Sequence, residues 1–308
     1  MKIRLLIGVC ALSVWLGGEA LAAQLVRQGT PHEALFSLAF EGDRGFAAGS
    51  LGSLYESRDK GLAWSEVEGP PTHLAILGLD VEEDRVLTVG QLGEIFVRDA
   101  SGWRAGENDS RDRLFAAAFA GDGAAIAVGA FGTILRSSDD GDSWQRVDID
   151  WQSVLPDGFE PHLYDIAIAA DGSAVVVGEF SLVLRSVDRG MTWQVAHHRK
   201  ASLFGVAFDG AVGLAVGQDG IVLRSVDNGR QWRREDSALT GNLVDVALKG
   251  ETAVAVGVRV AGISHDRGLT WRAVDDPDIE DGWYPAAAVR PDGGGLVAGH
   301  AGRIVSVD

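Results

Sequence analysis

Residues 184–193 read LRSVDRGMTW, and nearly the same ten residues return as LRSVDNGRQW over 223–232 and LRSSDDGDSW over 135–144. Looser copies read YESRDKGLAW over 55–64 and ISHDRGLTW over 263–271. A catalytic motif is normally written once, so five copies point first to architecture. The pattern S-x-D-x-G-x-T/S-W has a physical reading at each position. Its aspartate (Asp59, Asp139, Asp188, Asp227, Asp266) is placed to accept hydrogen bonds from backbone N–H groups of its own turn. Its glycine (Gly61, Gly141, Gly190, Gly229, Gly268) permits positive φ. Its tryptophan (Trp64, Trp144, Trp193, Trp232, Trp271) is large enough to pack between neighbouring sheets. These residues are therefore expected to hold structure. A shortened version, VRDASGW, ends at Trp103.

The self-similarity extends upstream of each copy. Gly49, Gly90, Gly129, Gly178, Gly217, Gly257 and Gly299 each end a short apolar run, at spacings of 39 to 49 residues. A period near 40 built only of short strands and turns indicates a β-propeller. One unit is legible over 202–234: SLFGVAFD, GLAVGQDG and IVLRSVDNG are three strands with their turns, and QWRRE begins a fourth. The reading is all-β: seven blades of four antiparallel strands. The seventh unit, 283–308, stops after its third strand, GRIVSVD. The segment AQLVRQGT, from residue 23, is a spare strand expected to complete blade seven and close the ring.

The S-x-D-x-G-x-x-W element is the Asp box, or bacterial neuraminidase repeat. The longer combination AVG-x-x-G-x-I-L-R-S-x-D-x-G-x-x-W resembles the photosystem II stability and assembly factor family of seven-bladed propellers, together with its relatives in non-photosynthetic bacteria. The resemblance spans nearly all of the chain after residue 22. It implies a non-enzymatic binding or assembly accessory of a membrane protein complex. For the non-photosynthetic branch it implies an accessory of resistance-nodulation-division (RND, MMPL-type) transporters. In a photosynthetic host it would instead imply a photosystem II assembly factor.

Residues 1–22 read as a signal peptide. Lys2 and Arg4 precede the apolar stretch LLIGVCALSVWLGG, and Ala20-Leu21-Ala22 gives a small-x-small cleavage pattern. The apolar stretch is short for a membrane span. A periplasmic domain over 23–308 is expected. The one cysteine, Cys10, lies in the leader, so the exported chain would have no disulfide and no thiol chemistry. The net charge of −17 disfavours nucleic acid and anionic lipid as partners.

Asp boxes also occur in sialidases, which makes a sialidase-like glycan hydrolase or lectin the rival reading. Sialidases, however, need an arginine trio, a tyrosine nucleophile with a glutamate, and an acid/base aspartate. Of the three tyrosines, Tyr55, Tyr164 and Tyr284, the first falls inside a repeat strand beside Glu56. Arg136, Arg185 and Arg224 occupy one place in three successive blades, so they form a row and read as solvated strand arginines. Glu56 and Val97 replace that arginine in blades one and two. Turns such as GAFG over 129–132 precede no helix, so they are not phosphate cradles. His197-His198 has no third ligand in spacing, and the acidic run from Asp275 lacks the calcium-loop pattern. No catalytic residue, metal or cofactor is assigned.

Two tryptophans after residue 22 are left over by the repeat. Trp151 lies in WQSVLPDGFEPH, which lengthens the join between blades three and four, and Trp283 lies in DDPDIEDGWYP, between blades six and seven. Both joins emerge on the face opposite the Asp boxes. Trp151, Phe159, His162, Trp283 and Tyr284 form the candidate partner site, with Asp157, Glu160 and Glu280 as a charged rim. A second candidate is the residue entering each innermost strand: Ala34, His73, Arg113, His162, Ser202, Asn242 and Trp283. His73 and Arg113 join the site on that basis.

Overall fold

The computed structural model describes residues 23–155 and 158–307. The expected leader, with Cys10, and the rim residue Asp157 lie outside them. The described residues form seven four-stranded antiparallel sheets in chain order. Blade three is representative: Leu114–Gly121 is innermost, followed outward by Ala124–Gly129, Ile134–Ser137 and Gln145–Arg146. Its second strand, AAIAVG, is buried throughout, as a strand covered on both faces by neighbouring blades must be. The outermost strand is exposed.

Blade seven is completed as the sequence indicates. Ala23–Arg27 pairs with Ile304–Val307, which leads inward to Gly295–Ala298 and Ala286–Val289. Ala23 faces Val307 and Arg27 faces Ile304, so first and last strands share one sheet. Pairing them removes the open edge that blade seven would otherwise present.

The period has a steric cause. The glycine ending each second strand presses on the carbonyl of the residue that enters the innermost strand of the same blade. A Cβ would sit 2.0 Å from Ala34 O at Gly49, 2.2 Å from Arg113 O at Gly129, 2.0 Å from Ser202 O at Gly217 and 1.9 Å from Asn242 O at Gly257. The φ of Gly49 is −163° and that of Gly217 −172°, extended values any residue adopts. Close approach, not conformational freedom, selects glycine here. At Gly90 the facing carbonyl belongs to Ala75. That corrects the register in blade two: Ala75 holds the entry position, and His73 stands two residues outside it.

The join between blades three and four contains a short helix, Trp151–Val154, and the join before blade seven another, Pro277–Glu280. The second is started by Asp276, whose side chain accepts from Asp278 N, and by a proline in its first turn. Neither join is a free arm. Trp151 is 7% exposed within a core shared by blades three and four, and Ile279 and Tyr284 are buried in the core between blades six and seven.

Gly129→Ala should lower stability by about 1–3 kcal/mol, because a backbone carbonyl must retreat. A urea midpoint equal to wild type would refute the steric reading. Deleting residues 23–29 should lower the melting temperature by reopening the edge at Ile304–Val307, and an unchanged melt would show that the strand does not close the ring.

Candidate functional site

The Asp boxes form the turns between third and fourth strands, all on one face. Their hydrogen bonds repeat almost atom for atom. In blade four, Gly190 N and Ser186 Oγ are 2.9 Å apart, and the Ser186 hydroxyl donates to Asp188 Oδ1 at 2.8 Å. Thr192 gives its N–H to Oδ1 at 2.9 Å and its hydroxyl to Oδ2 at 2.6 Å. Trp193 Nε1 closes the turn by donating to Gly190 O at 3.1 Å. The indole bond recurs at Trp64, Trp144, Trp232 and Trp271. Each ring leans on the preceding blade: Trp144 on Leu87 and Val97, Trp232 on Val175 and Val177, Trp271 on Leu214. The serine two places before each aspartate was visible in the motif, yet its role as relay between aspartate and glycine emerges only here.

These bonds hold the box carboxylates ionised. Burial alone would raise Asp266, but bonds from Thr270, Ser264 and Leu269 outweigh it and bring the carboxyl down to about 2. Asp59, Asp139, Asp188 and Asp227 are lowered in the same way.

The arginine row differs from expectation. Arg136, Arg185 and Arg224 are not merely solvated. Each donates Nε to a carbonyl in the next blade's Asp box: Arg189 O at 2.8 Å, Asn228 O at 2.8 Å and Arg267 O at 2.9 Å. They tie blade to blade. Where Val97 replaces the arginine, Arg104 reaches Asp140 O at 2.7 Å from the fourth strand instead. Glu56 is buried and paired with Arg44 and Arg58.

The innermost strands wall a central channel of about 510 Å³. Asp165 Oδ2 accepts from Val206 N and Asp245 Oδ2 from Ala287 N, both at 2.7 Å, and Asp80 Oδ2 from Phe119 N at 2.8 Å. All three carboxyls therefore bridge to the next blade. Burial pushes Asp245 up to about 7 and Asp80 up to about 6; Asp165 is raised by burial and by the charge of Asp245. On the opposite face from the Asp boxes, the second residue of the innermost strand in blades one to six, and the residue just before it in blade seven, line the channel mouth. These are Phe36, Leu77, Phe115, Tyr164, Phe204, Val244 and Pro285. Tyr164 lies 5.7 Å from Phe115 and 5.1 Å from Phe204, ring centre to ring centre. This collar escaped the sequence reading, although the recurring LF and LY pairs at strand starts carry it.

The candidate partner residues divide. Trp283 is 39% exposed and stacks on Phe36 at 6.2 Å. Phe159 is exposed, edge-on to Phe180 at 5.9 Å. His162 lies 5.1 Å from Phe131, and its Nδ1 accepts from Phe131 N at 3.1 Å. His73 and Arg113 are exposed. Trp151 and Tyr284 leave the site. Trp151 packs so closely over Gly132 that a Cβ there would lie 2.5 Å from its Nε1. The Tyr284 hydroxyl donates to Asp278 O at 2.9 Å, and burial pushes its pKa up to about 12. Both inserted loops fold back to bury these rings.

Among the described residues, Tyr55 meets one guanidinium, not the arginine trio of a sialidase. Its ring lies beneath the Arg27 guanidinium at 3.8 Å, and burial, then a hydrogen bond with Glu33, pushes its hydroxyl up to about 12. Such a phenol is a poor nucleophile. Among the described residues, no group of three or more His, Cys, Asp or Glu is placed to hold a metal ion.

Residues 147–298 match the family model described as photosynthesis system II assembly factor YCF48. The match supports a photosystem II assembly factor-like BNR propeller. Its fold is similar to a solved structure described as YCF48 bound to D1 peptide, with 18% identity, a TM-score of 0.69 and coverage of 95% of this chain and 98% of that one. YCF48 from Cyanidioschyzon merolae gives 17% identity and a TM-score of 0.71, covering 93% and 98%. The propeller of a streptogramin B lyase gives 13% identity and a TM-score of 0.76, covering 94% and 98%. No curated protein matches the sequence. The family match points to a non-enzymatic binding or assembly role, although the same fold also carries enzymes.

Trp151→Ala should cost about 3–5 kcal/mol, whereas Trp283→Ala should leave the melting temperature nearly unchanged. Equal melts for the two variants would return Trp151 to the surface site. The two classes of carboxylate give opposite pH dependences. Asp266 is lowered from 3.8 to about 2, so its contribution is present above 3.8 and lost as pH falls through 2. Asp245 is raised from 3.8 to about 7, so its contribution is present below 3.8 and lost as pH rises through 7. Urea midpoints of Asp245→Asn measured between those limits should lose part of the wild-type decline; a decline of the same size would contradict the assignment.

Proposed function

We propose that this propeller is a non-enzymatic periplasmic accessory that docks on a membrane protein complex, with an RND/MMPL-type transporter as the partner. One observation carries the docking: an apolar crescent on the face opposite the Asp boxes. Leu51, Leu92, Phe131 and Phe180 stand at the tips of the turns between second and third strands in blades one to four. They are 76%, 58%, 56% and 39% exposed. All four have left-handed backbone, with φ between 54° and 59°. Bulky side chains are disfavoured there and disfavoured in water, so the fold stabilises a display that neither packing nor solvation rewards. At the same place blades five, six and seven carry Asp219, Arg259 and Ala301, so large apolar side chains at this tip position are confined to blades one to four. Phe159 extends it beside Phe180.

A relative described as bound to a D1 peptide supports the use of this fold to hold a segment of another protein. The periplasmic location rests on the leader pattern over residues 1–22. Cleavage there would place the new terminus at Ala23, whose N–H already donates to Asp276 Oδ2 at 3.2 Å.

Affinity capture from detergent-solubilised membranes of the host should retain an RND-type transporter on the wild-type propeller. The double variant Leu51→Asp/Phe180→Asp should keep its melting temperature and lose the transporter. Retention by that variant would discard the crescent, and the absence of any such transporter from the wild-type capture would discard the partner. Protein recovered from the periplasm should begin at Ala23; material retaining Met1 would overturn the location.

A further inference from the structure

Beside the channel mouth, between blades two and four, lies a cavity of about 610 Å³. Its apolar wall comes from Leu74, Leu92, Phe115 and Phe131. His162 closes one side. Because its Nδ1 accepts from Phe131 N, the neutral ring carries its proton on Nε2, the one nitrogen free to donate. Arg111, Asp112 and Arg113, with Gln91 and Ala130, complete the lining. The backbone fixes both arginines in place. A Cβ on Gly93 would lie 2.3 Å from Ser110 O and 3.5 Å from Arg111 Cα, and Ala130 N donates to Arg113 O at 2.9 Å.

The two guanidiniums have no partner among the described residues, in a chain of net charge −17. Asp112, the one carboxylate in the lining, lies between them in sequence but is engaged elsewhere. It pairs with Arg146 at 3.0 Å and accepts from the Thr133 hydroxyl at 2.8 Å. Arg146 also donates to Phe131 O at 3.2 Å. The local acid is thus spent on holding the Phe131 turn, and two cations are left facing an apolar cavity. A guanidinium offers fixed donor pairs that match a carboxylate. The cavity is large enough for an aromatic or branched side chain.

We infer that this cavity seats an extended segment of a partner protein in which a bulky apolar side chain is flanked by carboxylates. The apolar side chain enters between Leu92 and Phe131, and the carboxylates meet Arg111 and Arg113. This deepens the docking reading and rests on it, since it names the chemistry the partner must present. It uses a part of the face that the Leu51 and Phe180 variants do not touch.

The test is fluorescence anisotropy of the purified protein with three labelled pentapeptides: Gly-Glu-Phe-Glu-Gly, its lysine counterpart Gly-Lys-Phe-Lys-Gly, and Gly-Glu-Ala-Glu-Gly. The first should bind at least about tenfold more tightly than the other two, since it alone combines anchor and charge. Arg111→Glu/Arg113→Glu, an exposed pair whose exchange should leave the melt unchanged, should weaken it by about tenfold or more, as should Leu92→Asp. Equal affinity for the lysine peptide overturns the inference. So does binding that the arginine exchange does not alter, or adsorption to phosphatidylglycerol vesicles with no preference among the peptides. Transporter capture separates the two readings. If wild-type protein captures the transporter and the arginine variant captures it equally, the cavity assignment fails while the docking reading stands. If the peptide preference holds but no transporter is captured, the cavity stands and the partner is wrong.

Discussion

Every blade depends on the contact between the glycine that ends its second strand and the carbonyl of the residue that enters its first. The contact leaves no room for a side chain, as the distances at Gly49, Gly217 and Gly257 show. It draws the end of one strand against the start of the neighbouring one and so sets where the chain can begin the next turn. Because the requirement is for space and not for positive φ, no other small or flexible residue can substitute. Repeated seven times, it brings seven strand starts to a common channel mouth.

Around that constraint neighbouring blades are tied in three ways, each used at some of the junctions. Innermost, the carboxyls of Asp80, Asp165 and Asp245 accept N–H groups from the next blade. At middle radius, the Asp-box indoles fill the space against the preceding blade. Towards the rim, arginines reach the next Asp-box turn. The inner ties carry a cost, since burial favours the protonated acid, and the box carboxylates carry the reverse. A ring held this firmly on the Asp-box side leaves the other face free to vary between blades without loss of the core.

That freedom has been used unevenly. At their tips the turns of blades one to four present large apolar side chains and those of blades five to seven do not, and Arg111 and Arg113 stand within that arc. The long joins, which attract attention as insertions, bury Trp151 and Tyr284 and serve as covers for the spaces between blades. Apart from Phe159 and Trp283, the large apolar side chains left exposed on this face belong to the short turns.

Much of this architecture was legible in the linear chain. The Asp boxes, the glycine spacing, the count of seven and the spare strand at AQLVRQGT are local patterns, and repetition makes each copy a check on the others. The expectation that Phe159, His162 and Trp283 share one face came from the propeller reading, in which the joins between blades emerge opposite the Asp boxes. Other features are decided only by tertiary structure. Whether Trp151 and Tyr284 face water depends on the path of their loops back over Gly132 and Asp278. Whether Arg185 is solvated depends on the neighbouring blade, 43 residues away in sequence. Whether Ala75 or His73 enters the innermost strand depends on which carbonyl meets Gly90. The sequence determined the repeating unit because its turns and strands are made by residues close together in the chain; which side chains remain for a partner was decided by contacts between units, which no local pattern records.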